Sequence, residues 1–495
     1  GGDVGGTWYW NRYPGARCDV ESMEYSYGFD DDLQQEWEWS ERYAPQPEIL
    51  AYARHVAERY DLRRDIRFDT RVTSATYDEA TSTWTVSTDP GPPIVAQHLV
   101  MATGCLSAAN VPAIEGADSF AGASYHTGRW PHDGVDFTGL RVGVIGTGSS
   151  AVQAIPLIAE QASHLTVFQR TPTYTVPAWN GPLDPAEQAE IKADYAGLRA
   201  ANRLTASAFG ARQPRNDVSA LAVSAEEREA EYERRWKVGG LTFLGAYNDL
   251  LLDEAANATA REFVIGKLRE IVRDPDVAAK LVPDQVVGCK RLCVDSGYWA
   301  TFNRPNVTLV DLRESPIEAI TPEGIGTSAG HHDLDAIVYA TGFDAMTGAL
   351  ARIDVRGRAG LRLADAWAAG PRTYLGLAVA GFPNLFVVTG PGSPSVLSNM
   401  MEAIQQHVDW IGDCIEHLRD TGCTTIEATT DAQDGWVDYV NGVAGLTLFP
   451  RCSSWYLGAN VPGKARVFMP LPGFPTYVDQ CVDVVASGYR GFALT

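Results

Sequence analysis

The sequence is poor in positive charge. Its 40 lysines and arginines face 62 aspartates and glutamates, giving a formal net charge of −22 and a pI near 4.8. Phosphate backbones are bound by clustered Lys and Arg, so this deficit argues against nucleic acid as a partner. No apolar run approaches the ~20 residues that a membrane helix needs, and no signal-peptide pattern opens the chain. Cysteine is sparse: eight residues, at positions 18, 105, 289, 293, 414, 423, 452 and 481, include no C-x-x-C pair. That spacing argues against a bound metal and against a disulfide framework, and points to a reducing cytoplasm. A soluble, cytoplasmic monomer is the expectation. Tandem repeats, low-complexity tracts and an initiator methionine are also missing; the chain starts Gly1-Gly2-Asp3.

What is present is enough chain for two or three cores, since 495 residues exceed the usual size of one. Two short β-branched and aromatic runs, Val72–Tyr77 and Trp84–Thr88, read as a hairpin or meander. Buried strands ending in Ala-Thr-Gly recur at Leu99–Gly104 and Ile337–Gly342. Between them Arg141–Ile145, a helix opening at Ser149 and Leu165–Phe168 form a βαβ pattern. From Pro182 to about Pro283 the periodicity becomes helical. Asp184-Pro185 starts a helix there, Ser224 and Glu227 form a capping box, and Asp274-Pro275 reads as a stop. Strands return at Val307–Val310 and Leu385–Thr389, and helices at about Ser398–Leu418 and Ala432–Val443.

Gly146-Thr147-Gly148-Ser149-Ser150-Ala151 follows a strand and opens a helix. Glycines in that setting permit a tight turn and a close backbone approach, which puts a pyrophosphate on the helix N-terminus. Gly146, Thr147, Gly148, Ser149, Ser150 and Gln153 are the candidate contacts. An acidic residue ending the next strand would bind the ribose of NAD. Here the strand ends Gln169-Arg170-Thr171, and a guanidinium in that place favours a 2′-phosphate, hence NADPH.

Just ahead of this loop runs Phe120-x-Gly122-x-x-x-His126-x-x-x-Trp130-Pro131, and near the start runs Gly5-Gly6-Thr7-Trp8 through Tyr13-Pro14-Gly15 to Asp19. Together they resemble the fingerprint of type I Baeyer-Villiger monooxygenases, which are flavoprotein monooxygenases, and the likeness extends over nearly the whole chain. The resemblance implies an α/β fold with two Rossmann-like dinucleotide-binding domains, for FAD and NADP, and a helical insertion in the latter. The expected division is 1–106 and 341–495 for the FAD domain, 107–182 and 284–340 for the NADP domain, and 183–283 for the insertion.

The implied activity is NADPH- and O2-dependent oxidation of ketones to esters or lactones through a C4a-peroxyflavin, with sulfoxidation on the side. Such a cofactor carries the hard chemistry, leaving the protein to supply position and charge. Arg291 takes the place of the active-site arginine, a cation for the developing oxyanion, and Asp19 is its partner. His126 is expected to act as a hinge or NADP-positioning residue ahead of acid–base chemistry, and Trp130 as a packing anchor. The resemblance puts Trp8, Asp19 and Tyr25 beside the flavin ring and Val72 near the adenine. Arg170, Thr171 and Lys290 go to the 2′-phosphate and Trp455 to the nicotinamide ribose.

The stretch Gly390–Ser398 resembles the pocket loop of members acting on aryl ketones. That makes Ser395, Val396 and Leu397, with Cys105 and Leu106, the expected pocket wall for aryl or other small apolar ketones. The family's N-terminal flavin glycine loop has no counterpart in these residues, so weak FAD affinity is expected. Two other readings stay open: a flavin-containing N- or S-monooxygenase, and a non-catalytic NADP-binding fragment. Disulfide reductases need a redox-active cysteine pair beside the flavin, and Cys289 and Cys293 have the wrong spacing for one.

Overall fold

Five parallel strands form the central sheet of the computed structural model, which describes residues 1–464 and 473–495. Their order is Val307–Asp311, His164–Gln169, Arg141–Ile145, Ala336–Tyr339, Ala123–His126. Parallel strands are covered on both faces and so read as continuous apolar runs. Val142, Val144, Leu165, Val167, Ile337 and Val338 are accordingly buried. The helix Ser149–Gln161 lies between two of these strands in sequence and buries Ala151, Val152, Ala154, Ile155, Ile158 and Ala159 in the same core. The turn into it requires Gly146: its φ is 112°, and a Cβ there would lie 2.5 Å from the carbonyl oxygen of Ala340.

The expected hairpin is the middle of a four-stranded sheet ordered Asp354–Arg356, Arg71–Asp78, Thr83–Asp89, Ile94–Ala96. Trp84 anchors it, fully buried, with its indole N–H donating to Pro383 O at 2.9 Å. The strands Leu99–Met101 and Leu385–Val387 pair in parallel. A three-stranded meander, Ile317–Thr321, Gly324–Thr327 and Gly330–Asp333, was not expected from the sequence.

Between residues 185 and 281 every regular element is a helix, joined by irregular chain, and Ser224 and Glu227 form the full capping box at the head of Ala225–Val238. Asp274-Pro275 follows the end of the helix Glu254–Ile271, as expected, and also starts the next helix. The Asp274 carboxylate accepts from the N–H groups of Asp276 and Val277, with Pro275 in the first turn of Pro275–Leu281. On leaving this region the chain pairs Cys293–Asp295 in parallel with Thr175–Pro177. That ladder returns Arg291 to the N-terminal motif.

The expectation of no disulfide is corrected by Cys289–Cys452, which joins residues 163 apart in sequence. Spacing rules see local cysteine patterns, and this pair is made by the fold. It links the segment before Lys290 and Arg291 to the turn before Trp455. Closing so long a loop restricts the unfolded chain, worth about 2–4 kcal/mol for typical disulfides. Cys289→Ser should therefore lower the thermal midpoint, and dithiothreitol should lower that of the parent protein alone. An equal response of both proteins to the reductant would show that the bond contributes nothing. Among the described residues, no helix is long and apolar enough to cross a membrane.

Candidate active site

Arg291 and Asp19 meet across the fold, with Nε of Arg291 3.5 Å from Oδ2 of Asp19. A second arm of the guanidinium, Nη1, donates to Val396 O at 3.0 Å. Asp19 is held from behind by Gln153, whose amide N–H donates to Oδ1 at 3.3 Å and to Arg17 O at 3.1 Å. The Gln153 carbonyl accepts from the Tyr13 hydroxyl at 2.8 Å. The helix carrying Gln153 comes close because Gly15 has no side chain: a Cβ there would lie 2.3 Å from Gln153 O. The fixed positions Tyr13, Gly15 and Asp19 of the N-terminal motif thus serve one junction.

Burial pushes the Asp19 carboxyl above its ordinary value, against the pull of Arg291 and Gln153. Burial alone would lower the Arg291 guanidinium; the Asp19 charge outweighs it, with Tyr456 beside the same group, and Arg291 ends above its ordinary value. The result is a cation that does not titrate, held by one ion pair and one hydrogen bond.

At the glycine loop, Thr147 donates its hydroxyl to Thr171 O at 2.7 Å, tying the turn to the segment that carries Arg170. Gly148 is the N-cap of Ser149–Gln161 and offers no side chain to the free N–H groups. Arg170 is exposed at the end of its strand. Lys290 lies near it and is held below the ordinary lysine value by burial and then by the Arg170 charge. Ser149 touches Cys293 at 3.3 Å.

The pocket residues gather as well. Cys105, Ala345 and Met346 form a small buried apolar cluster against which Leu106, Val396, Met400 and Trp455 pack. Ser395 donates to Met346 Sδ at 3.6 Å and lies beside the Cys105 thiol, which burial lifts to about 11. Leu397 completes the turn Ser395–Leu397. Trp8 and Tyr25 stand edge to face at 5.9 Å, with the indole N–H donating to the Tyr25 hydroxyl at 3.3 Å.

Three residues lie elsewhere. His126 is buried at the end of its strand, its Nδ1 accepting from Gly128 N–H at 2.9 Å and its Nε2 3.4 Å from the Thr341 hydroxyl. Burial lowers its pKa, which keeps the ring neutral. Thr341 in turn donates to Asn110 O at 2.5 Å, so the imidazole ties together three chain crossings. Trp130 packs on Tyr125 and Phe137 in the core. Val72 packs in the cluster around Trp84 and Leu385, apart from Trp8 and Tyr25.

Sequence reasoning missed the bracing roles of Tyr13, Gln153 and Tyr456, although all three stand within or beside quoted motifs. It missed Met346 and Met400 entirely, because a methionine on an apolar wall leaves no pattern. A polar cavity of about 430 Å³ also opens on Asp19, and its charges are largely paired, Arg42 with Glu21 at 2.5 Å and Arg212 with Glu187 at 2.6 Å.

This geometry matches known proteins over its full extent. The Baeyer-Villiger monooxygenase of Pseudooceanicola batsensis is 43% identical over 491 residues, covering 98% of this chain and 89% of that protein. The chain belongs to the Baeyer-Villiger monooxygenases. An oxidised steroid monooxygenase bound to NADP superposes with a TM-score of 0.94 at 56% identity, covering 99% of this chain and 93% of that one. The complex of OTEMO with FAD and NADP gives 0.96 at 43% identity, covering 100% and 93%. A family model described as pyridine nucleotide-disulphide oxidoreductase matches residues 27–203. As a Baeyer-Villiger monooxygenase the protein depends on FAD and NADPH and oxidises ketones to esters or lactones.

The residues fit both cofactors. The uncapped helix behind Gly146, with Arg170 and Lys290 unscreened from each other, suits a phosphorylated dinucleotide. The Asn460 carbonyl Oδ1 is buried with no hydrogen-bond partner among the described residues, an acceptor on the segment that also carries Trp455. The aromatic pair Trp8–Tyr25 lies close to Cys18 and Cys105, and Cys18 lies close to Arg291, so aromatic surface and a fixed cation stand near one another, the residue types that would hold a flavin ring.

Proposed function

We propose that this Baeyer-Villiger monooxygenase acts on small apolar ketones, aryl-substituted ones among them, with sulfoxidation as a side activity. The observation that carries the reading is the position of Arg291, bonded at once to the Asp19 carboxylate and to the Val396 carbonyl of the pocket loop. A charge in that place faces both the cofactor side and the substrate side. FAD reduced by NADPH supplies the oxygen activation; everything else falls to the chain.

Arg291 stabilises the negative charge that develops on the ketone oxygen as an oxygen nucleophile adds to the carbonyl. Asp19, braced by Gln153, keeps the guanidinium from turning away. Cys105, Leu106, Ser395, Val396 and Leu397 enclose the substrate in a wall that excludes water, supported by the apolar character of the cluster they join. His126 is a positioning residue for the interdomain crossings, supported by its neutral, fully engaged ring. Gly146, Thr147, Gly148, Ser149 and Ser150 cradle the NADPH pyrophosphate, Arg170, Thr171 and Lys290 hold its 2′-phosphate, and Trp455 lies on its nicotinamide side. Trp8, Asp19 and Tyr25 line the flavin, and Val72 its adenine end.

We assign residues 1–106 and 341–495 to the FAD domain, 107–182 and 284–340 to the NADP domain, and 183–283 to the insertion. A cytoplasmic monomer is the working form. Six free thiols and a strongly negative surface support it, and the Cys289 side of the disulfide is shielded by burial.

The test is kcat/KM for NADPH-dependent ester formation across a ketone series, with phenylacetone and other aryl ketones expected at the top and charged ketones at the bottom. A preference for charged ketones would overturn the reading. Cys105→Gln adds an amide to the wall and should shift that order by about tenfold between an aryl and an alicyclic ketone, the size expected when a polar group enters an apolar site. An unchanged profile would remove Cys105 from the wall.

A further inference from the structure

The pocket loop is pinned from behind by a buried relay of residues outside those assigned to either cofactor. Thr389 donates its backbone N–H to Nδ1 of His407 at 2.9 Å. Nδ1 is therefore the accepting nitrogen, the proton sits on Nε2, and Nε2 donates to the Tyr477 hydroxyl at 2.9 Å. The Tyr477 hydroxyl in turn donates to Leu375 O at 2.9 Å. One arrangement of hydrogens satisfies every member. His407 is fully buried on the helix Met400–Thr421, and burial pushes its imidazole down to about 3, so the ring stays neutral at any working pH.

Both ends of this relay are strained. Thr389 and Leu375 are non-glycine residues in the left-handed region, with φ of 54° and 58°. Such residues persist only where their surroundings hold them, and they gather where a backbone is aimed for function. The two turns press on each other: a Cβ on Gly390 would lie 2.4 Å from Gly376 O, and one on Gly376 2.5 Å from Ser393 N. From Thr389 the chain runs on to Ser395, itself at φ 42°, and to Val396, whose carbonyl accepts from Arg291. Trp436 holds the midpoint by donating to Gly392 O at 3.1 Å.

We propose that His407, with Tyr477, is a positioning and specificity-determining element of the ketone oxidation, fixing the loop Thr389–Leu397 against Arg291 without touching substrate or cofactor. The inference rests on the reading of that loop as the pocket wall. His407 sets where the wall stands, so its loss loosens the ketone site and leaves the glycine loop and Arg170 undisturbed.

The experiment compares His407→Ala, His407→Asn and Tyr477→Phe with the parent enzyme, all loaded with FAD, on phenylacetone and cyclohexanone. Leaving a buried amide unpaired should raise the ketone KM about tenfold in His407→Ala and change the ratio of kcat/KM between the two ketones. The KM for NADPH and the rate of flavin reduction should stay within about twofold. His407→Asn, which can still accept from Thr389, should recover most of the loss. Tyr477→Phe, which keeps its ring in the core, gives the same readout if His407→Ala fails to fold. An unchanged ketone KM and ketone ratio, or ketone and NADPH parameters falling together, would overturn the proposal. If Cys105→Gln and Val396→Ala also leave ketone selectivity unchanged, the pocket reading itself fails; if they shift it and the relay variants do not, only the role of His407 falls.

Discussion

Arg291→Ala is expected to lower kcat for ketone oxygenation by on the order of 10²–10³-fold, the cost of removing one charge-stabilising donor from a preorganised site. NADPH should still be consumed, because the glycine loop, Arg170 and Lys290 are unaffected. The variant should thus turn a coupled oxygenase into one that oxidises NADPH without forming ester. Arg291→Lys should not restore the rate. An ammonium is a single point, whereas the guanidinium reaches Asp19 through Nε and Val396 O through Nη1 at the same time. Removing the cation also leaves Asp19 buried without its partner, and its already raised pKa rises further until it takes up a proton. Asp19→Asn should cost less than Arg291→Ala, since the Val396 carbonyl still orients the arginine and the asparagine oxygen can still accept from Gln153. Ester formation and NADPH consumption measured on the same samples decide the matter. Ester formed at the parent rate by Arg291→Ala would remove the arginine from the chemistry.

Arg170→Ala carries the next largest expected effect, a loss of about 10- to 100-fold in the preference for NADPH over NADH, the worth of one hydrogen bond between charged groups. Arg170 is exposed at the strand end, and Lys290 faces it from the segment before Arg291. The double variant with Lys290→Ala should lose more than either single one, because the two cations converge on the same phosphate. The lowered pKa of Lys290 adds a pH dependence. In the free enzyme it gives up its proton at a lower pH than an ordinary lysine does, so the KM for NADPH should rise with alkaline pH, and Lys290→Ala should flatten that rise. A preference for NADPH that survives both substitutions would place the 2′-phosphate elsewhere.

The parts of this molecule written in the sequence are those whose physics is local. Gly146 and the apolar strands around it announce a dinucleotide turn, because a positive φ and a close carbonyl leave no other residue possible. Trp84 and its hairpin show in alternation, and the Ser224 box in its three-residue spacing. Arg291 and Asp19 were paired from motif positions, and the fold brings them to 3.5 Å.

What stayed hidden depends on contacts between distant segments. Cys289 and Cys452 share no local pattern, nor do His407 and the Thr389 amide it holds. Asp274-Pro275 was legible only by half, because the same dipeptide both follows one helix and caps the next. Gly15 could be quoted as part of a motif, yet its reason, the Gln153 carbonyl against which any Cβ would collide, exists only once the two segments meet.

The most direct test of the account is one reaction: the purified, FAD-loaded chain with NADPH, phenylacetone and isotopically labelled dioxygen, its product analysed by mass spectrometry. The expected product is benzyl acetate carrying a single labelled atom in the bridging ester oxygen, formed in step with NADPH consumption. Recovery of unchanged ketone while NADPH is consumed, or label found outside the ester linkage, would contradict it.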